Sequence, residues 1–218
     1  ANLSIINSKT DSAFQKLLDD LFINEGNTLF RTFEPSFVSS IIFNMAWNHK
    51  NYGNAEENSI FFRWSIESGG TFQDLFQFPI VERQGLQQFQ YLRLSADLRS
   101  LTIIDRNTVL AKRINGGIGL SYENPKVLPY EKYFFAGGSN SIRAWRPRRL
   151  GPGSFRPQES ANPESDGLYD YRTEQPGEVL LEGSIELRRK LFGFVEGAVF
   201  LDAGNVWTLD PRTISDSE

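Results

Sequence analysis

The fold is decided by residues 91–104, which have the sequence YLRLSADLRSLTII. Apolar and polar side chains alternate along the first part of this stretch. Because successive side chains of a β-strand point to opposite faces of its sheet, a period of two predicts a strand with one apolar and one polar face. The apolar positions are Leu92, Leu94, Ala96 and Leu98, and the polar positions are Tyr91, Arg93, Ser95, Asp97 and Arg99.

The same period continues in both directions from this stretch, and residues 105–108 and 191–194 supply tight turns. Charges of both signs lie on the polar faces, whereas the opposite faces are aliphatic or aromatic. We predict strands over residues 36–48, 59–67, 89–104, 108–122, 178–191 and 194–207. The apolar residues expected to face outward are Phe43, Trp47, Phe62, Trp64, Leu94, Leu98, Ile185 and Leu187.

This alternation suits two architectures, a soluble β-sandwich with its polar faces in water and a membrane β-barrel. Two short turns among otherwise long connections favour the barrel. Residues 123–177 are rich in Pro, Gly and Ser and are too long for a passive connection. We therefore predict an all-β fold, part of an antiparallel up-and-down transmembrane β-barrel with about six strands present and long extracellular loops.

The chain divides accordingly into five segments. A short amphipathic helix is predicted at residues 11–22, packed on its own loop, because Phe14, Leu17, Leu18 and Leu21 have helical spacing. The predicted segments are a loop with this helix at 1–34, four barrel strands at 35–122, an extracellular loop at 123–177, two barrel strands at 178–207 and a final loop at 208–218.

Composition excludes several classes of function. The 218 residues include no cysteine and one histidine, His49, so disulfides, a zinc site and a histidine-based triad are not expected. A run of about 18 apolar residues is absent, which excludes a transmembrane helix. The net charge of −4 argues against nucleic-acid binding. Five arginines could form an anion patch, but interleaved prolines and nearby Glu159 and Glu164 favour a solvated loop; they are Arg143, Arg146, Arg148, Arg149 and Arg156.

A motif in the long loop carries a family resemblance. Residues 133–145 have the sequence YFFAGGSNSIRAW, and residues 146–153 continue with RPRRLGPG. An aromatic-Gly-Gly segment, an aliphatic-Arg-small-aromatic motif and a Gly-Pro follow one another, as in the sixth extracellular loop of the BamA and TamA family, whose barrel is also called the bacterial surface antigen barrel. The motif positions here are Gly137, Gly138, Ile142, Arg143, Ala144, Trp145, Gly151 and Pro152.

Two details refine the resemblance. Ala144 stands where the family usually has glycine, a variant similar to TamA-like members of the Bacteroidetes. Residues 184–187 and 199–207 resemble the two strands that follow the loop, each with one inward carboxylate. The resemblance is strong over about residues 128–207, diffuse over 36–122 and absent from 1–34. Family barrels have sixteen strands, so the resemblance implies that this chain is a fragment of a larger barrel.

The resemblance also implies a site and a function. In the family the two carboxylates hold the loop arginine inside the barrel, so the corresponding residues here are Arg143, Glu186 and Asp202. The period of two independently places Glu186 and Asp202 on the polar face. An arginine between them would keep both ionised, whereas a catalytic acid and base need pKa values that are pushed apart, so we expect no enzymatic activity.

The resemblance implies that the chain is part of an assembly factor that folds and inserts outer-membrane proteins in Gram-negative bacteria. Its implied partners are outer-membrane lipids, client outer-membrane proteins and periplasmic or lipoprotein assembly partners, without a cofactor or nucleic acid. Two alternatives remain open. One is a two-partner secretion-type transporter barrel of the same superfamily, and the other is a soluble or surface-exposed β-sandwich binding module.

Overall fold

A single β-sheet forms the body of the chain in the computed structural model, which describes residues 2–6, 12, 16, 36–50, 52, 57–70, 87–122, 127–154 and 174–209. Its strands are β1 (Asn2–Ile6), β2 (Ser36–His49), β3 (Ser59–Gly69), β4 (Gln87–Gln88), β5 (Tyr91–Asp105), β6 (Thr108–Ser121), β7 (Val179–Phe192) and β8 (Val195–Trp207). The spatial order is β1-β2-β3-β5-β6-β7-β8, and β4 pairs with β2.

All neighbours along this path pair antiparallel, whereas β4 runs parallel to β2. No pairing joins β1 to β8 in the part of the chain that the structure describes, so this sheet is an open wall. The all-β, up-and-down fold predicted from the sequence is confirmed. Each of the six predicted strands is present, with both ends within two residues of the prediction.

Residues 2–6 correct the prediction for the start of the chain, which we expected to be loop with a short helix. They form β1, which pairs with residues 36–40 of β2. The segment is too short for its period to identify it, and pairing with β2 fixes its conformation. Of the helix predicted at residues 11–22, only Ser12 and Lys16 are described, both as helical, and its apolar residues lie outside the described part. No described helix has the length and apolar character needed to cross a membrane.

Successive connections alternate between the two ends of the wall, as antiparallel succession requires. The connections at one end are shorter than those at the other. At one end the strands join through residues 50–58, 106–107 and 193–194, and at the other through residues 7–35, 70–90 and 122–178. In the first of the two-residue turns, the backbone N–H of Asn107 donates to Asp105 Oδ1 over 2.7 Å. In the second, Gly193 adopts a φ of +57°, which a glycine accommodates without strain.

Burial across the wall is the reverse of that in a water-soluble sheet. The apolar face is open, with Phe43 58%, Val199 76% and Leu201 69% exposed. On the other face Asp97 and Glu182 are only 4% and 6% exposed. No second sheet covers the apolar face within the described residues, which argues against the sandwich and suits a sheet that faces lipid on one side and a lumen on the other.

The apolar core lies between the polar face of the wall and the long loop, at the end with the long connections. One cluster joins Val38, Phe89 and Tyr91 of the sheet region to Val127, Leu128 and Tyr133 of the loop. A second cluster joins Leu180 and Val206 of the strands to Phe134 and Ala136. The loop therefore packs back against the wall as part of the fold.

Candidate functional site

A tight turn in the long loop brings the motif to the wall. Gly137 and Gly138 have φ values of +102° and +97°, a region that L side chains rarely adopt. A Cβ on Gly137 would lie 2.3 Å from the carbonyl oxygen of Arg146. The N–H of Gly138 donates to the carbonyl oxygen of Trp145 over 2.9 Å. The Gly-Gly pair is therefore required for the close return of the chain that presents residues 139–144.

Within this turn, Ile142 and Ala144 flank the arginine in different ways. Ile142 is buried, with 6% of its surface exposed, whereas Ala144 is exposed. Lys50 and Arg148 are the described non-glycine residues with positive φ, so Ala144 has a backbone conformation open to any L residue. This explains how alanine occupies a position where the related family usually has glycine.

Arg143 extends from the turn to two adjacent strands. Its Nε and Nη2 donate to Asp202 Oδ2 and Oδ1 of β8, each over 2.8 Å, and its backbone N–H donates to Oδ2 over 3.1 Å. Its Nη1 lies 2.5 Å from Glu186 Oε2 of β7. The structure thus brings together the three residues that the resemblance indicated. Asp202 accepts both parallel bonds of the guanidinium fork, which is the strongest geometry for this ion pair.

The surroundings of Arg143 keep it charged and fixed. Its guanidinium carbon lies 3.5 Å from the centroid of the Phe200 ring, a cation–π contact. Hydrogen bonds to Asp202 and then Glu186, opposed by partial burial, raise the pKa of Arg143 above its ordinary value. Arg188 donates from Nε to the other Glu186 oxygen over 2.7 Å. Two cations therefore balance two carboxylates, an arrangement that suits anchoring rather than proton transfer.

The remaining motif residues lie in the part of the loop that follows the turn. Gly151 has a φ of +98°, and a Cβ there would lie 2.5 Å from Val206 Cγ2 of β8. Pro152 follows it and is buried. The N–H of Gly153 donates to the carbonyl oxygen of Val206 over 2.7 Å, so this part of the loop hydrogen-bonds to the end of β8. Trp145, in contrast, remains 40% exposed.

Sequence reasoning missed the charge clusters that surround this site. Asp97 of β5 accepts hydrogen bonds from Arg99 and from Arg113 of β6, and Arg63 of β3 lies 3.6 Å away. Arg113 also lies 3.1 Å from Glu182 of β7. Glu182 is on the same face as Glu186, four residues along the strand, and that shared polarity was the signal available in the sequence.

A further missed contact attaches the part of the loop before the Gly-Gly turn to β3 and β5, on the same polar face of the wall. Lys132 Nζ lies 2.7 Å from Glu67 Oε1 of β3, and the Tyr91 hydroxyl donates to the same oxygen over 2.8 Å. Arg93 of β5 donates to the carbonyl oxygen of Lys132 over 3.0 Å and stacks on the Phe134 ring at 4.1 Å. The loop is thus attached to β3 and β5 as well as to β7 and β8.

The predicted solvated loop arginines have varied environments. Arg148 lies 3.1 Å from Glu174 and 4.7 Å from the Phe135 ring centroid. Although burial acts to raise it, hydrogen bonds donated by Tyr130 and Arg148 hold the pKa of Glu174 below its ordinary value. Arg146 is exposed, and Arg156 lies outside the described residues.

A wall with an apolar outer face, a charged inner face and a loop arginine paired inside defines a class of protein, the outer-membrane β-barrel. Comparison with protein-family models then matches residues 14–218 to the Omp85 superfamily domain. Since the match spans most of the chain, the chain belongs to the Omp85 superfamily, whose members are outer-membrane barrels with assembly or transport functions. The match also covers part of residues 1–34, where no resemblance was seen. No curated protein gives a significant match.

Proposed function

We propose that this chain is part of an outer-membrane assembly factor that folds and inserts β-barrel proteins, and that Arg143 braces the barrel lumen by joining the loop to the wall. The observation that supports this proposal is the double attachment of Arg143, with a bidentate pair to Asp202 on β8 and a further bond to Glu186 on β7. One side chain thereby fixes the loop to two adjacent strands.

The brace has a mechanical consequence for insertion. An insertase must offer an unpaired strand edge to its client, because an extended segment adds to an exposed edge through main-chain hydrogen bonds. If the loop holds β7 and β8 together, strands must separate at a seam elsewhere in the barrel when the edge for the client is exposed. The similarity of the Ile142–Trp145 motif to TamA-like proteins supports the same proposal at the level of subfamily.

Reconstitution of the full-length protein in lipid vesicles tests this function. Vesicles with the wild-type protein should accelerate folding of an added unfolded outer-membrane protein, scored by its heat-modifiable band on a gel. Arg143→Ala should lose most of this acceleration, and Arg143→Lys should recover little because an ammonium lacks the planar fork. Arg146→Ala, a change at an exposed loop arginine, is the matched control.

Two outcomes would contradict the proposal. Equal acceleration by the wild-type protein and Arg143→Ala would show that the brace does not serve assembly. Export of a soluble polypeptide across the vesicle membrane, without accelerated folding of a barrel client, would instead identify the two-partner secretion-type transporter.

A further inference from the structure

The Gly-Gly turn has a second attachment to the wall, separate from Arg143. The Ser141 hydroxyl donates to Glu182 Oε2 on β7 and accepts the backbone N–H of Gly137 over 3.0 Å. On the same side of the turn, Arg113 Nη1 of β6 donates to the carbonyl oxygen of Asn140 over 2.6 Å. Both contacts hold residues 137–141, which lie before the arginine in the chain.

Glu182 is built into the wall as a fixed acceptor. It is 6% exposed, and its Oε1 accepts a hydrogen bond from Asn115 Nδ2 over 2.9 Å and lies 3.1 Å from Arg113 Nη1. Its Oε2 is then directed at the loop serine. A buried carboxylate without these donors would carry a large desolvation cost, so the wall residues orient it as well as neutralise it.

The two attachments are spatially distinct. Glu182 and Glu186 lie four residues apart on the same face of β7, a rise of about 13 Å at roughly 3.3 Å per residue. Asn115 and Arg113 support the first on the β6 side, whereas Asp202 supports the second on the β8 side. Loss of one therefore leaves the other with its own partners.

We propose that Ser141, Glu182 and Arg113 form a positioning clamp that holds the Gly137–Asn140 turn so that Arg143 meets Asp202 with both side chain and backbone N–H. The clamp fixes the short segment before the arginine. Less conformational entropy is therefore lost when Arg143 forms its contact with Asp202. The importance of the clamp for assembly rests on the proposed function, but its existence does not.

Hydrogen exchange in the full-length protein, resolved to the peptide over residues 137–141, tests the clamp. Ser141→Ala should speed exchange by roughly tenfold to a hundredfold through loss of the hydrogen bond to the charged Glu182, and it also removes the acceptor of the Gly137 N–H. Ser141→Thr keeps the hydroxyl and should remain close to wild type, and Ser139→Ala, at an exposed turn position, is the control. In a Glu182→Ala background, Ser141→Ala should add less than it does in the wild-type protein, because the Ser141–Glu182 bond is already absent and only the bond from the Gly137 N–H remains to be lost.

The outcomes separate this inference from the proposed function. Unchanged exchange in Ser141→Ala, or equal acceleration in Ser141→Ala and Ser141→Thr, would overturn the clamp. Accelerated exchange in Ser141→Ala with retained client folding in Arg143→Ala would support the clamp while contradicting the brace. Where Glu182→Ala does not fold, the Ser141 pair decides alone, because those changes leave the strands intact.

Discussion

Replacing Arg143 with alanine would leave its two carboxylate partners in unequal positions. Glu186 would keep Arg188, whose Nε lies 2.7 Å away. Asp202, whose side chain is 5% exposed, would lose the two side-chain bonds it accepts from Arg143. Removal of one partner from a buried ion pair costs about 3–5 kcal/mol. Since the Arg143 side chain is 25% exposed, water reduces the loss, and we expect about 3 kcal/mol.

A loss of this size should appear as loop release rather than unfolding of the wall. It corresponds to an increase on the order of a hundredfold in the population with the loop detached. Hydrogen exchange of the peptide over residues 142–145 measures that population, with a heat-modifiable gel band as the check on folding. Arg146→Ala should leave exchange unchanged. Protection in Arg143→Ala equal to that of wild type, or equal loss in both variants, would refute the argument that the ion pair holds the loop.

Three further predictions concern the same loop and wall. Asp202→Asn should release the loop more than Glu186→Gln, because Asp202 accepts three hydrogen bonds from Arg143 and Glu186 one; exchange of the same peptide gives the order. Gly137→Ala should destabilise the loop by about 1–3 kcal/mol, whereas Ala144→Gly should destabilise it by less than about 1 kcal/mol; protease resistance of the loop measures both. Leu201→Arg should cost roughly 2–4 kcal/mol of unfolding free energy in lipid vesicles, although the site is 69% exposed; tolerance of this change would argue against a lipid-facing surface.

Strand positions and faces could be predicted because they depend on a local pattern. In β5, the alternation from Tyr91 to Arg99 fixes which side chains share a face, and the structure pairs these residues in continuous register with β3. β1 escaped prediction because five residues are too few for a period to be distinguished. Its conformation depends on residues 36–40 of β2, a partner that the local sequence does not identify.

The site was predictable only in part for a related reason. The polar face contains many charged residues with the same local pattern, and the period does not say which of them pair. Resemblance selected Arg143, Glu186 and Asp202, but no such guide pointed to Ser141 and Glu182. Their contact depends on how the Gly-Gly turn folds back, which is a property of tertiary packing rather than of the strand pattern.

The contacts of the loop, taken together, form a continuous row across the polar face of the wall. Lys132 contacts Glu67 on β3, and its carbonyl oxygen accepts from Arg93 on β5. Arg113 on β6 and Glu182 on β7 hold the turn, and Asp202 on β8 holds the arginine. The loop therefore contacts five neighbouring strands, each through a charged side chain.

Separation of any two of these strands would have to break loop contacts in addition to the main-chain hydrogen bonds between them. A carboxylate separated from its cation in this way, such as Glu182 from Arg113, would then lie buried without a counter-ion, at a cost of several kcal/mol. Antiparallel strands in lipid already resist separation because their backbone groups find no other partners there. On the assembly function proposed above, we expect strand separation during client insertion to occur outside the β3–β8 wall, because the loop holds these strands together.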